Sequence, residues 1–587
     1  MSPSIGGIAR PARRFDQMFR RCRWPGYGAG VTGEGSRRRL HAATQSFAAS
    51  AKNPAVRRIQ LGFAGACTAE WTFTVVLSVY AFQQGGAAAV GLVSLLRMLP
   101  SAVLAPFASA LADRWRRDLV LPLVAVTRCV TAAGMGLLAA GDGPAVAVYA
   151  LAIASTAAAI LYRPVNSALL PLLCHTPSEL ASANVVRGLL DSISTLVGPA
   201  IAAALLAAAS ISSGFAAVAI LSGLSAAVTF GLTVEEPAGH VRRSSVARGL
   251  LRGAEVTIRS PQLRLIFLLL AAQTLTRGAL SVFSVLVAVD LLDMGEPGVG
   301  TLTAAVGAGA VLGSLFALMY VGNHRLATWF GAGVATWGAP LILLALAPSE
   351  PAALLLFAVI GVGNALVDVG VFTLVARLAP ERVLARVYGL LESVGALFVG
   401  AGSVLAAGLA SATNLREAIA LVGAIGPALV LICWLPLRRL DDTMLARDED
   451  IDLLRTVMVF DPLPLPALEQ LAAGLRPQHV PAGEVVYQQG DAADGCFVIE
   501  LGSADVIGDG RPIATVGPGD LVGEIALLRR VPRTATVRAV TEMDLRLLDA
   551  DRFVCVVTGW ETSREVTSGH VDELLDRFSP GSGPESE

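Results

Sequence analysis

Between about residues 58 and 437 the chain is a succession of long apolar runs separated by short polar joints. Twelve helices are expected, near 59–83, 88–111, 119–140, 145–172, 183–208, 214–233, 263–290, 299–321, 326–347, 352–376, 386–411 and 415–436. At 1.5 Å of rise per residue, each is long enough to cross roughly 30 Å of hydrocarbon. Composition agrees: charged residues make up 16% of the chain, against about 25% in soluble domains.

Basic residues orient these helices, because loops rich in Lys and Arg stay in the cytoplasm. Alternate connections carry Arg114, Arg116 and Arg117; Arg242, Arg243, Arg248 and Arg252; Arg325; and Arg382 and Arg386. The other connections, such as QQGGAAA, AAGDGPA and APSEP, hold no basic residue. The expectation is an inner-membrane protein with both termini in the cytoplasm. The longest connection, about 234–262, divides the helices six plus six. It contains VARGLLRGAEVTIRS, whose two-faced pattern suits a helix at the membrane surface. Gly309 and Gly313 have the spacing that lets two helices approach closely.

Several functions are excluded. Lys52 is the one lysine, and its surroundings are not glycine-rich, so neither the phosphate loop of an ATP-driven pump nor a kinase fits. HExxH and GxSxG are absent, and the chain reads as no enzyme. The seven cysteines, at 22, 67, 129, 174, 433, 496 and 555, show no metal spacing and no disulfide framework. A net charge of -1 gives no reason to expect nucleic acid as a partner. No cofactor is called for.

The ends differ from the middle. Residues 1–54 are basic and read as a disordered tail. Residues 438–455 form a charged linker, and 456–578 alternate short β-type runs (VVY, FVIE, ADVI, PIATV, TVRAV, LRLL) with turns. Asp509-Gly510 between two such runs marks a hairpin. A closing helix is expected over EVTSGHVDELLDRF, and 579–587 read as a disordered tail.

Charges within apolar helices are costly and usually functional. Counting from the helix ends puts Glu70, Arg97, Arg128 and Asp191 at similar depth, so they can face one central cavity as a substrate or proton pathway. Asp368, Arg277 and Glu392 lie farther off. The loop SALADRWRRDLVL is similar to the cytoplasmic loop motif of the major facilitator superfamily, with Asp113, Arg114 and Arg117 in register and Ser109 and Arg116 where glycines are usual. YRPVNSALLP and GNALVDVGVFTLVARLAPERVLARVYGLLES resemble the drug and macrolide exporters of that superfamily. The resemblance covers residues 55–437 and implies an all-α fold of two six-helix halves, a small-molecule substrate held between them in the bilayer, and alternating access. It gives Asp113, Arg114 and Arg117 a gating role.

In VGEIALLRRVPRTATVRA, Gly523 lets backbone approach a ligand closely, Glu524 can accept from a ribose 2′-hydroxyl, and Arg533 can pair with a phosphate. GEIAL followed by PRTA, behind Gly483, Glu484, Gly490, Asp491 and Gly502, resembles the phosphate-binding cassette of cyclic-nucleotide-binding domains. That resemblance implies a β-roll with flanking helices and a cAMP or cGMP ligand on Gly523, Glu524, Ile525, Ala526, Arg533, Thr534 and Ala535. Too little chain follows the roll for a DNA-binding helix pair, and no TVGYG-like filter occurs, which disfavours a channel.

The reading is a nucleotide-regulated, proton-coupled exporter of a small amphiphile, an antiporter in mechanism. The alternatives are a nucleotide sensor on a transport-inactive scaffold and a lipid translocase of the same fold.

Overall fold

The computed structural model describes residues 53–112, 117–174, 177–232, 246–320, 325–379, 383–460, 463 and 465–559. Eleven helices among the described residues are long and apolar enough to span a bilayer. The first of these stretches runs for 52 residues, which as one straight helix would measure about 78 Å, more than twice the hydrocarbon thickness. It is two spans. Within α1, Pro54–Ala112, the backbone leaves helical geometry at Gly85 and Gly86, so the chain turns back there and the crossings number twelve.

The remaining spans follow in order. They are α2 (Arg117–Ala140), the pair α3 (Ala145–Ala159) and α4 (Tyr162–Leu173), α5 (Pro177–Ala208) and α6 (Ile211–Thr229). The amphipathic α7 (Val246–Arg259) separates them from α8 (Pro261–Leu286), α9 (Gly295–Tyr320), α10 (Leu326–Leu346), α11 (Glu350–Leu378), α12 (Leu384–Ala412) and α13 (Leu415–Ile432). The fourth span is broken because Pro164 has no N–H for the Ile160 carbonyl and its ring clashes with that turn. At the end of α8 the helix widens into a π turn, Val287–Leu291, closed by Leu292 N–H donating to the Val287 carbonyl at 3.0 Å. The pair Gly309 and Gly313 serves packing. A Cβ at Gly313 would sit 2.8 Å from the Val362 Cα on α11. Helix α7 docks through Gly253 on the first turn of α12 at Arg386.

Large apolar side chains cover the outside of this unit. Leu137, Leu346, Leu431 and Ile432 each leave about three-quarters of their surface uncovered. In water so extensive an apolar surface would drive association; in lipid it is the solvated face.

After α13 the expected linker is itself helical: α14, Trp434–Thr456. Leu437, Leu440, Met444, Ile451 and Leu454 recur at helical spacing along it and are buried. The first three join the core of the membrane unit. Ile451 and Leu454 join the core of the C-terminal unit, with Phe460, Leu468, Leu471, Val498, Leu548 and Phe553. One rigid helix therefore belongs to both cores. Its buried Asp441 also caps α10 from a distance. The carboxylate accepts from the N–H groups of Ala327 (2.7 Å) and Thr328 (2.9 Å) and from the Thr328 hydroxyl (2.6 Å). Those amides have no partner inside their own helix, and such a cap is worth about 1–2 kcal/mol.

The C-terminal unit opens with α15 (Leu465–Ala472) and continues as a roll of eight antiparallel strands in two sheets. The strands are β1 (Arg476–Val480), β2 (Val485–Tyr487), β3 (Gly495–Leu501), β4 (Ala504–Gly508), β5 (Arg511–Val516), β6 (Leu521–Val522), β7 (Thr536–Ala539) and β8 (Met543–Asp549). The sheet orders are β1-β8-β3-β6 and β2-β7-β4-β5. The Asp509-Gly510 hairpin forms, with both residues at positive φ and Gly508 paired to Arg511. Strands β1 and β6 were not anticipated: four of the five residues of β1 are exposed, and β6 has two residues. The short α16 (Glu524–Arg529) interrupts the roll, and α17 (Ala550–Gly559) follows it. The basic tail, the closing helix expected near residues 564–578 and the final tail lie outside the described residues.

Candidate functional site

The nucleotide-cassette residues come together between β6, α16 and β7. Gly523 has φ +90°, a left-handed conformation that suits glycine, and a Cβ there would strike the Arg533 guanidinium. Arg533 is 3% exposed. Its Nη1 donates to the Gly523 carbonyl at 3.0 Å, and its Nη2 pairs with Asp494 Oδ1 at 3.3 Å. The guanidinium carbon lies 4.3 Å from the Tyr487 ring centre and 5.9 Å from that of Phe497, and the two rings stack on each other. Backbone bonds hold the position: Arg533 N–H donates to the Asp491 carbonyl at 2.9 Å, and Gly490 N–H to the Arg533 carbonyl at 2.8 Å.

Glu524, also 3% exposed, starts α16. Burial pushes its carboxyl up to about 7, against partial relief from a backbone N–H and from Arg533. Ala526 is buried, Ile525 and Ala535 are half-buried, and Thr534 is exposed. The pocket thus holds a buried cation and a buried acid, with the cation paired to Asp494, whose side chain is 85% exposed. Asp494, Tyr487 and Phe497 were not foreseen. The aromatic residues stand on β-type runs, a pattern equally suited to plain core packing.

In the membrane unit, Glu70, Arg97 and Arg128 form one cluster. Glu70 Oε1 lies 3.3 Å from Arg97 Nη2, and Oε2 lies 2.6 Å from Arg128 Nη2. Arg97 Nε donates to Thr156 Oγ1 at 3.1 Å, and its guanidinium lies over the Phe73 ring. Asp191 is held elsewhere. It accepts from both terminal nitrogens of Arg163, at 2.9 and 3.2 Å. Arg163, in the YRP turn that starts α4, was not singled out from sequence. Asp368 accepts from Asn364 at 2.9 Å, and Arg163, Asp191, Arg277 and Glu392 lie within electrostatic reach of it. The two clusters are joined through Arg163, which acts on both Glu70 and Asp368. Asp113 and Arg114 lie outside the described residues, and Arg117 opens α2.

A third cluster connects the units. Arg377, at the end of α11, reaches both Asp448 of α14 and Glu469 of α15, the latter at 3.0 Å. Arg447 adds a contact to Glu469 at 3.7 Å. On the far side of α14, Asp450 lies 3.3 Å from Arg546 of β8, which also pairs with Glu500 at 3.1 Å.

Twelve apolar crossings with charges facing one another inside them, followed by a β-roll with a buried arginine-carboxylate pocket, define a multi-pass membrane protein of the transporter class with a ligand-binding appendage. The sequence profile of the Major Facilitator Superfamily matches residues 60–295 and 266–476, and that of the cyclic nucleotide-binding domain matches 477–557. The chain belongs to the Major Facilitator Superfamily and carries a C-terminal cyclic nucleotide-binding domain. It is 45% identical over 118 residues to the acetyltransferase Pat of Mycolicibacterium smegmatis, covering 19% of this chain and 31% of that protein. It is 39% identical over 101 residues to a cyclic nucleotide-gated potassium channel of Rhizobium etli, covering 17% and 28%. Among solved structures, the regulatory domain of Toxoplasma gondii protein kinase A with cAMP is 27% identical, covering 23% of this chain and 54% of that one, with a TM-score of 0.20. The chain spans less than a third of the length of either of these two curated relatives.

Proposed function

We propose that the chain is a secondary transporter of a small amphiphilic molecule, proton-coupled and exporting, whose activity answers to cAMP or cGMP at the C-terminal domain. The transport pathway in this reading runs past Glu70, Arg97, Arg128, Asp191 and Asp368. The membrane is the inner membrane, and the face carrying Arg377 and the β-roll is cytoplasmic, as the basic loops require.

The observation that carries the regulatory part is α14. Its first half packs in the membrane core and its second half in the core of the nucleotide domain. A ligand can bias inward- against outward-facing states only by its difference in affinity for them. A helix shared by both cores, and tied by Arg377 to the end of a span, is a physical route for that difference.

The test is flux in proteoliposomes of the full chain, with and without cAMP or cGMP, in wild type and Arg377→Ala. Wild type should respond to nucleotide by a factor of about 5–150, the range of a coupling of about 1–3 kcal/mol. Arg377→Ala should keep nucleotide affinity and lose most of the response. Flux that ignores nucleotide in wild type rejects the regulatory reading. Nucleotide binding without any flux favours a sensor on a silent scaffold.

A further inference from the structure

The charge count in the first half of the membrane unit is unbalanced. Arg97 and Arg128 share the single carboxylate of Glu70. Arg163 and Arg187 share Asp191: Arg163 pairs with it directly, while Arg187 donates instead to Ser167 at 2.7 Å and lies over the Phe63 ring. Within these two sets four cations meet two acids; Asp368 and Glu392 reach Arg163 and offset the excess on its side, but not at Arg97 and Arg128. In the second half, Arg277 and Glu392 both lie within electrostatic reach of Asp368.

The imbalance is most costly at the first pair, because both guanidiniums are sealed. Their side chains are 6% and 5% exposed, whereas Glu70 is 36% exposed and is the member that reaches open space. Arg128 is also poorly satisfied. Its Nε and Nη2 have no hydrogen-bond partner among the described residues, although Glu70 lies close to Nη2. Its Nη1 reaches the Ala66 carbonyl only at 3.5 Å. A buried cation without a full counter-charge is strongly unfavourable, and a second anion would relieve it.

We infer that the substrate is an organic anion, whose negative group is held by Arg97 and Arg128 in competition with Glu70. This rests on the transport reading above and names the chemistry of its substrate. The inference has a consequence of definite sign. A cationic substrate would be held by Glu70, so removing that carboxylate would weaken its binding. An anionic substrate competes with Glu70, so removing it strengthens binding.

Benzoate, benzamide and benzamidine share a shape and differ in charge. We would titrate each against the purified full chain and follow thermal unfolding. Benzoate should stabilise the wild type, and the other two should not. Glu70→Gln should raise benzoate affinity at least about tenfold, since a competing full charge next to two cations is gone. Adding Arg128→Gln to that variant should abolish the gain. If Glu70→Gln does not fold, Glu70→Asp, which draws the competing charge back by one methylene, should raise benzoate affinity by a smaller factor, and no gain in that variant counts against the inference. Stabilisation by benzamidine that disappears in Glu70→Gln overturns the anion inference and leaves a cation transporter standing. No response to any of the three in wild type or Glu70→Gln counts against the inference and against a substrate site in this cavity.

Discussion

The Glu70 cluster of the membrane unit and the Arg533 pocket of the β-roll solve one problem in opposite ways. Each keeps arginine out of water beside a carboxylate. In the membrane cluster, two arginines converge on Glu70 and the charges hold one another. In the pocket, Arg533 and Glu524 are equally buried but form no ion pair. Arg533 turns to the Gly523 carbonyl, two aromatic rings and an exposed Asp494, and Glu524 is left to favour its neutral form. In the membrane unit the two sealed guanidiniums are neutralised directly by Glu70, the one member of the cluster that is partly exposed. A β-roll in water can keep its cation on a solvent-exposed acid until a ligand anion replaces it.

The sharpest way to break that contrast is Arg533→Ala. It should weaken cyclic nucleotide binding by about 1.5–3 kcal/mol, the loss expected for hydrogen bonds to a charged group, or about 10- to 150-fold in affinity. Calorimetry on the full chain measures it, because α14 is shared by both cores and an isolated domain would be cut through that helix. Unchanged affinity would mean that Arg533 serves the fold alone.

A smaller effect comes from Glu524. Its carboxyl sits near 7 in the folded chain against an ordinary 4.5, raised by burial. The sign follows from linkage: the folded state holds the extra proton, so this stability is complete below about 4.5 and is lost as pH rises through about 7. Only the ionised carboxylate is a full acceptor for a ribose hydroxyl. Nucleotide affinity should therefore rise about tenfold from pH 6 to pH 8. Glu524→Gln should flatten the profile. A flat profile in wild type would show that the nucleotide does not use this carboxylate.

The smallest effect tests the exchange itself. Asp494→Asn removes the exposed acid that occupies Arg533 in the absence of ligand. Because Asp494 stands in water and is screened, the pair is worth about as much as a surface pair, about 0.2–1 kcal/mol, so affinity should increase by about 1.5- to 5-fold. Weaker binding would make Asp494 part of the ligand's own contacts.

Much of this molecule was legible from residue order. Twelve spans, six β-type runs and the Asp509-Gly510 turn are local patterns, set by spacing along the chain and by backbone preference. So was the company of Gly523, Glu524 and Arg533, because a short helix and a turn fit between them and bring both ends to one small ligand. The equal depth of Glu70 and Arg97 was also readable, since they stand on two helices joined by a short turn.

Only the tertiary structure decided which distant groups meet. Depth did not tell that Asp191 would turn to Arg163 and leave Arg97 and Arg128 to share Glu70, because depth does not set the rotation of a helix about its axis. The charged stretch 438–455 read as a linker because its acids and arginines outnumber its apolar residues; it is helical because two separate cores each bury part of its apolar stripe. The bond from Arg377 to Asp448 and Glu469 joins residues as much as 92 positions apart. Local sequence sets which elements form, through dihedral preference and hydrophobic period. Long-range pairing of charges and cores depends on how those elements are rotated and stacked, and that is settled only when the whole chain has packed.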